Sequence, residues 1–386
     1  MPLRPPAVVH QSGDAVKLTR ISWKGFGIPF RGRYVTSSSS ATVRYGLLLF
    51  LHTDTGLVGI GEASPVGTGS EEEVRMTASR LEGLVAQLLR TDQPTSAGVL
   101  SRLPAGVPPA LRFGLETALL DMEGKASGGT VAELLGGDPL LWPSVNALIA
   151  AETPEEAVAE AKEMVAQECA SIKLKVTAGT VAQDEALVSA VRRAIGPDVK
   201  LRIDANQGWS VDEAVDAIQR LTRYGLEYVE QPVAASDMAG LAKVRSAVSV
   251  PIAADESLAS LDDLHRLIDL DAVDVLVVKA GRLGGLDRAA EVMRAALNAG
   301  KATVVTSSLE SGVGIAASAH LAATLPSHPY AHGLATGILL EQDLLTPSLL
   351  VRHGAVAPLQ KPGLGVEVDM TMVDRYGIGI EGSVSS

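Results

Sequence analysis

Six charged residues punctuate the middle of this sequence at a nearly constant interval. Lys175, Asp204, Glu230, Asp255 and Lys279 lie 24–29 residues apart, and Lys173 precedes the first of them by two positions. Each sits in or just after a short apolar run: SIKLKV, KLRIDAN, LEYVEQP, PIAADES and AVDVLVVKA. A lone aspartate after a strand usually caps the next helix. Three carboxylates after successive strands, with lysines on both sides, ask for another explanation. Converging carboxylates repel unless a cation sits among them. With no Cys or His on offer, an all-oxygen set favours a hard divalent ion, Mg²⁺ first and Mn²⁺ as a substitute. A carboxylate substrate held on such an ion has an acidified α-carbon. A lysine crowded by another lysine and a metal is favoured as the neutral amine, a working base. The expected chemistry is therefore proton abstraction beside a carboxylate. Lys175 is the candidate base on one face, Lys279 faces it from the other, and Lys173 tunes Lys175. Asp204, Glu230 and Asp255 are the candidate ion ligands. Asn206 and Gln231 are placed to orient them, and Glu256 to pair with Lys279. For Lys279 a purely structural salt bridge to a nearby carboxylate is the competing explanation.

These residues need a scaffold that brings consecutive strand ends together. In SIKLKV the apolar Ile172, Leu174 and Val176 alternate with Lys173 and Lys175, the period of a strand with its lysines on one face. From about residue 144 such runs alternate with helical stretches. Seven β-then-α units repeat every 25–30 residues or so, and AHGLA suggests a short eighth strand. Repeated units of this kind build a parallel sheet, and eight of them fit a closed barrel with its site at the C-terminal ends of the strands. An open doubly wound sheet would carry a glycine fingerprint after its first strand, and SVNALIAAETPEE has none. Residues 17–64 read instead as strands, with a hairpin around Asp54-Thr55-Gly56, followed by helical stretches; the pattern is α+β. Within it, GFGIPFRGRYVTSSSSATV is rich in Gly, Pro and Ser and is expected to be a mobile loop.

Composition narrows the partners. The chain has 386 residues, enough for a barrel and a smaller companion domain. It is 46% hydrophobic but only 3% aromatic, so its core must be aliphatic. A net charge of −12 argues against nucleic acid or an anionic membrane surface as partner, while leaving room for a small carboxylate in a locally positive site. A single cysteine, Cys169, cannot form an intrachain disulfide. The first residues lack a signal-like apolar run and no stretch is long enough to span a bilayer, so a cytoplasmic location is expected. A homo-oligomer is compatible with the sequence.

In this order the motifs resemble the enolase superfamily. K-x-K at 173–175 and the later Lys279 are similar to its muconate-lactonizing subgroup, whereas the mandelate racemase branch uses a histidine where this chain has Thr306-Ser307-Ser308. GIGEASP and ETALLDMEGKASGGTVAELLGG resemble parts of that family's capping domain and its junction to the barrel. The resemblance implies an N-terminal α+β capping domain (1–140), a (β/α)8-type barrel (141–360) and a C-terminal segment (361–386) returning to the cap. It also implies the same catalytic lysines and ligand carboxylates. Substrate choice would come from the cap around Ile28–Arg33 and Pro65–Gly69, with Arg31 or Arg33 meeting a second carboxylate. The stretch 307–314, with Ser307, Ser308, Glu310 and Ser311, would contribute as well. Within the subgroup, SSLESGVGIAASAHLAATLP and HGLATGILLEQDLL are most similar to o-succinylbenzoate synthases of menaquinone synthesis. N-acylamino acid racemases share nearly all these residues. Dipeptide epimerases commonly carry Asp-x-Asp where this chain reads AHGLAT, and muconate cycloisomerase is a further alternative. A catalytically silent barrel that only binds a metal and a carboxylate is the non-enzyme alternative.

Overall fold

The computed structural model describes residues 16–35, 40–91, 94–151, 153–176, 180–325, 329–349, 351–357 and 359–386. Strands β1 (Leu18–Val35), β2 (Ser40–Thr53) and β3 (Val58–Ala63) form an antiparallel sheet near the N-terminus. Its apolar face packs on the helices Glu71–Leu89 and Pro109–Ser127, burying Leu47, Leu49, Leu51, Leu81, Leu115 and Leu119 in one core. A fully buried leucine contributes about 2 kcal/mol by transfer alone. Gly61 permits the close fit of sheet and helix, because a Cβ there would lie 2.0 Å from the Gly114 carbonyl oxygen.

The parallel strands follow: β4 (Ala147–Ile149), β5 (Ser171–Lys175), β6 (Lys200–Asp204), β7 (Leu226–Glu230), β8 (Ile252–Ala254), β9 (Val275–Val278) and β10 (Ala302–Val305). They are ordered consecutively in one sheet, each followed by a helix. The AHGLA segment completes the ring: Gly333 bridges Thr306 beyond β10, and His332 bridges Val145 before β4, both parallel. The result is a capped (β/α)8-type barrel. Two short strands, β11 (Val351–Arg352) and β12 (Ala355–Val356), form a small hairpin. The chain ends in β13 (Gly377–Ser385), antiparallel to β1 at the edge of the N-terminal sheet.

The Gly/Pro-rich stretch after Lys24 departs from the loop expected there. Residues 25–35 continue β1, and 40–43 begin β2; residues 36–39 of the same stretch lie outside the described set. Alternation decides this. Phe26, Ile28 and Phe30 are buried on one face, and Phe26 to Pro29 pair with Gly46 to Val43. Pro29 sits where the ladder becomes irregular, a place that tolerates a missing N–H. Its carbonyl accepts a bond from Glu341 N at 2.8 Å, and Phe30 bridges Leu340, so the hairpin reaches the barrel.

Candidate active site

Lys175, Asp204 and Glu230 are the last residues of β5, β6 and β7, and Asp255 and Lys279 directly follow β8 and β9. Lys175 pairs in register with Asp204, and Asp204 with Glu230. Five neighbouring strands thus deliver their charges to one end of the barrel. In a ring of eight, β5 and β9 are four steps apart, which sets Lys175 and Lys279 on opposite walls. The apolar alternates Ile172, Leu174 and Val176 lie in the core beneath the helices. Helix capping does not account for the carboxylates. The caps after β6, β7 and β8 are Ser210, Asp237 and Ser260, whose side chains accept the helical N–H bonds.

Each site carboxylate meets a cation. Lys173 Nζ bridges Asp204 Oδ2 at 2.9 Å and Glu230 Oε1 at 2.6 Å. Lys279 Nζ donates to Asp255 Oδ2 at 2.6 Å, and Arg282 Nη1 to Asp255 Oδ1 at 2.7 Å. Lys279 therefore pairs with Asp255 and not with Glu256. Lys175 Nζ donates to Asn206 Oδ1 at 2.6 Å and lies 5.1 Å from the Tyr34 ring centroid. Asn206 also donates its backbone N–H to Asp204 Oδ1 (3.0 Å) and its amide to Glu256 Oε1 (3.3 Å). Gln231 acts through the backbone: its Oε1 accepts from Asp255 N and Ser257 N, fixing the turn that presents Asp255.

Burial and mutual repulsion govern the protonation of this group. Burial alone would lower the Lys173 pKa, but Asp204 and Glu230 raise it well above the usual lysine value, so Lys173 enters the site as a cation. Burial pushes Glu230 up to about 7, opposed by Lys173 and reinforced by Asp204 and Asp255. For Asp255 burial is outweighed by Arg282 and Lys279, which hold it below the ordinary aspartate value. Among the described residues no three acidic, histidine or cysteine side chains converge closely enough to hold an ion as they stand. The donor chemistry nevertheless fits a hard divalent cation. Asp204, Glu230 and Asp255 are buried oxygen donors on adjacent strands, and Glu256 Oε2 nearby is buried without a hydrogen-bond partner.

The expected substrate residues divide. Arg31 donates to the Leu340 and Glu341 carbonyls and pins the hairpin to the barrel; the Arg33 side chain lies outside the described set. Ser307 bonds Thr336. Ser308 N donates to the buried Glu310 carboxylate, and Ser308 Oγ is buried with no partner. Ser311 is fully buried and donates through N and Oγ to Glu62 of β3, so it fastens the N-terminal sheet to the barrel. Three contributors were not foreseen. Arg282 follows Lys279 by three residues and could have been read from the lysine-arginine spacing on one helical turn. Tyr34 was hidden in the stretch read as a loop. Arg44 is wholly buried and ties the Leu309 carbonyl to those of Pro65 and Gly67; nothing in its local sequence signals that.

Comparison with known proteins agrees with this architecture. The sequence model for the mandelate racemase / muconate lactonizing enzyme N-terminal domain matches residues 30–136, and that for the enolase C-terminal domain-like family matches residues 156–372. The chain belongs to the enolase superfamily. It is 46% identical over 229 residues to an o-succinylbenzoate synthase of Thermobifida fusca, a match covering 57% of this chain and 69% of that protein. It is 32% identical over 353 residues to muconate cycloisomerase 1 of Acinetobacter baylyi, covering 88% and 93%. The crystal structure of N-succinyl Arg/Lys racemase from Bacillus cereus superposes with a TM-score of 0.86 at 26% identity, covering 95% of this chain and 100% of that one. Members of this superfamily are enzymes, and so is this chain. Among the described residues no helix is long and apolar enough to cross a membrane.

Proposed function

We propose that this enzyme removes the proton α to a carboxylate and dehydrates 2-succinyl-6-hydroxy-2,4-cyclohexadiene-1-carboxylate, acting as an o-succinylbenzoate synthase in menaquinone formation in the cytoplasm. The supporting observation is two lysines on opposite walls of the barrel with three buried carboxylates on the strands between them. The 46% identity to the Thermobifida fusca synthase favours that substrate. Asp204, Glu230 and Asp255 would hold Mg²⁺, with Mn²⁺ as substitute. When bound, the ion supplies positive charge that favours build-up of negative charge on the substrate carboxylate as the α-proton leaves.

The chain's own groups do the rest. Lys175, held by Asn206 and facing Tyr34, takes the α-proton. The C–OH bond then breaks as the Lys175 ammonium returns that proton to the hydroxyl oxygen, so the group leaves as water and the ring becomes aromatic. Lys279, fixed by Asp255, presents its ammonium from the far wall toward the anion formed. Lys173 stays protonated between Asp204 and Glu230 and sets the local charge. The N-terminal sheet covers the barrel mouth through Phe30, Arg31 and Tyr34, where exclusion of water strengthens each of these interactions.

The likeness to the N-succinyl Arg/Lys racemase favours a second reading, racemisation of N-acylamino acids, because lysines on both walls suit proton exchange across one carbon. Incubation with the cyclohexadiene substrate and, separately, with N-succinyl amino acids in D₂O distinguishes the two. Rapid dehydration without α-deuterium in the amino acids is expected. Efficient α-exchange with no dehydration would replace the synthase reading by the racemase one.

A further inference from the structure

The alternation of β7 breaks once, and the break decides where Glu230 points. On β6, Leu201 and Ile203 pack outward under the helices, while Arg202 bonds Tyr228 and the Ala331 carbonyl inside the ring. On β7, Leu226 and Val229 pack outward, whereas Tyr228 joins Ala253, Val275, Val277 and Val304 in the interior. Outward residues three apart do not occur on a regular strand, whose faces repeat every two residues. The pairing shows the extra residue: Leu201 is opposite Leu226, but Ile203 is opposite Val229. A two-residue step on β6 therefore faces a three-residue step on β7, a β-bulge at Glu227–Tyr228. Were β7 regular, Glu230 would fall in phase with Leu226, under the helices and away from Asp204.

The bulge is clamped. Arg202 Nε and Nη2 both donate to Glu227 Oε2, at 2.9 and 2.6 Å. Arg202 Nη1 donates to the Tyr228 hydroxyl at 2.9 Å, and its guanidinium lies 4.5 Å from the Tyr228 ring centroid. The Arg202 side chain is wholly buried, so its charge requires the Glu227 partner. We propose that the Arg202–Glu227 pair is a positioning device that holds the β7 bulge and thereby turns Glu230 into the site as an ion ligand. The ligand role of Glu230 rests on the function proposed above; the geometry of the bulge does not.

Mn²⁺ titration of the purified full-length protein, followed by electron paramagnetic resonance of the free ion, tests this with four proteins. Glu230→Gln is expected to weaken Mn²⁺ binding. Glu227→Ala is expected to weaken it about tenfold, the scale found for groups that orient a ligand. The double variant is expected to bind no more weakly than Glu230→Gln alone, because Glu227 acts through Glu230. An equal loss from Glu227→Ala in both backgrounds, or none in either while Glu230→Gln weakens binding, overturns the proposal. Unchanged affinity in Glu230→Gln would instead remove the ligand reading. The crystal structure of Glu227→Ala then decides the geometry alone: Glu230 rotated away from Asp204 supports the device, and Glu230 in place overturns it. If that variant fails to fold, Glu227→Gln is measured in both ways and carries the same expectation with a smaller loss.

Discussion

Two layers of buried charge lie one above the other inside this barrel, and they are built differently. In the lower layer Arg202 is bonded through all three guanidinium nitrogens, to Glu227, Asn146, Tyr228 and the Ala331 carbonyl. No polar atom of Arg202 is without a partner, and the layer joins Asn146, just before β4, to β6, β7 and the closing AHGLA segment. Nearer the C-terminal ends of the strands, the Lys173 ammonium meets Asp204 and Glu230, and Lys279 meets Asp255, yet the match is incomplete. Burial and neighbouring carboxylates push Glu230 up to about 7, and Glu256 Oε2 has no hydrogen bond. A saturated buried network rigidifies a fold, whereas an unsaturated one holds a free-energy cost that a ligand can relieve. The same strands thus supply closure below and chemistry above.

Four measurements break or sharpen this contrast. Lys175→Ala is expected to cut turnover by about 10³-fold, the scale of a lost general base, while leaving Mg²⁺ affinity intact; full activity would remove Lys175 from the reaction. Arg202→Met leaves Glu227 without its partner and should cost about 3 kcal/mol in urea unfolding. A loss below about 1 kcal/mol, within the range of a surface ion pair, would show that the lower layer is not the structural one. Asp204→Asn should weaken Mg²⁺ binding by at least about tenfold in calorimetric titration; unchanged affinity would count against the upper layer as an ion site. The smallest effect comes from His320, outside both layers. Its Nδ1 accepts from Ala132 N, its Nε2 donates to the Leu364 carbonyl, and burial lowers its pKa to about 4. Because the folded value lies below the unfolded one of about 6.5, the stability is complete above that pH and is lost as pH falls toward 4. Between pH 7 and 5.5 the loss is about 1 kcal/mol. His320→Gln should flatten that part of the pH dependence of urea unfolding, and an unaltered slope would assign it to other groups.

Legibility followed the regularity of the backbone. Where strands alternate without interruption, as in SIKLKV and KLRIDAN, the sequence locates both faces, and Lys173, Lys175, Arg202 and Asp204 lie on the inner one. LEYVEQP reads as a strand and is one, but its faces cannot be assigned by counting, because Glu227 adds a residue that only pairing with β6 reveals. In GFGIPFRGRYV the Gly and Pro residues masked a strand whose Phe26, Ile28 and Phe30 find their partners on β2 and at the barrel rim. Ser311 looked like a residue open to substrate until Glu62, 249 positions away in sequence, took its hydroxyl.

The sequence by itself determined the repeating βα units, the polar residues at their strand ends and the absence of Cys or His among them, because strand period and residue chemistry are local properties. Only the tertiary structure decided which carboxylate meets which lysine, that Asp255 serves both Lys279 and Arg282, and that Glu230 faces inward. Those outcomes depend on ring closure, on a one-residue shift between two strands and on contacts between residues far apart in the chain, none of which any single segment encodes.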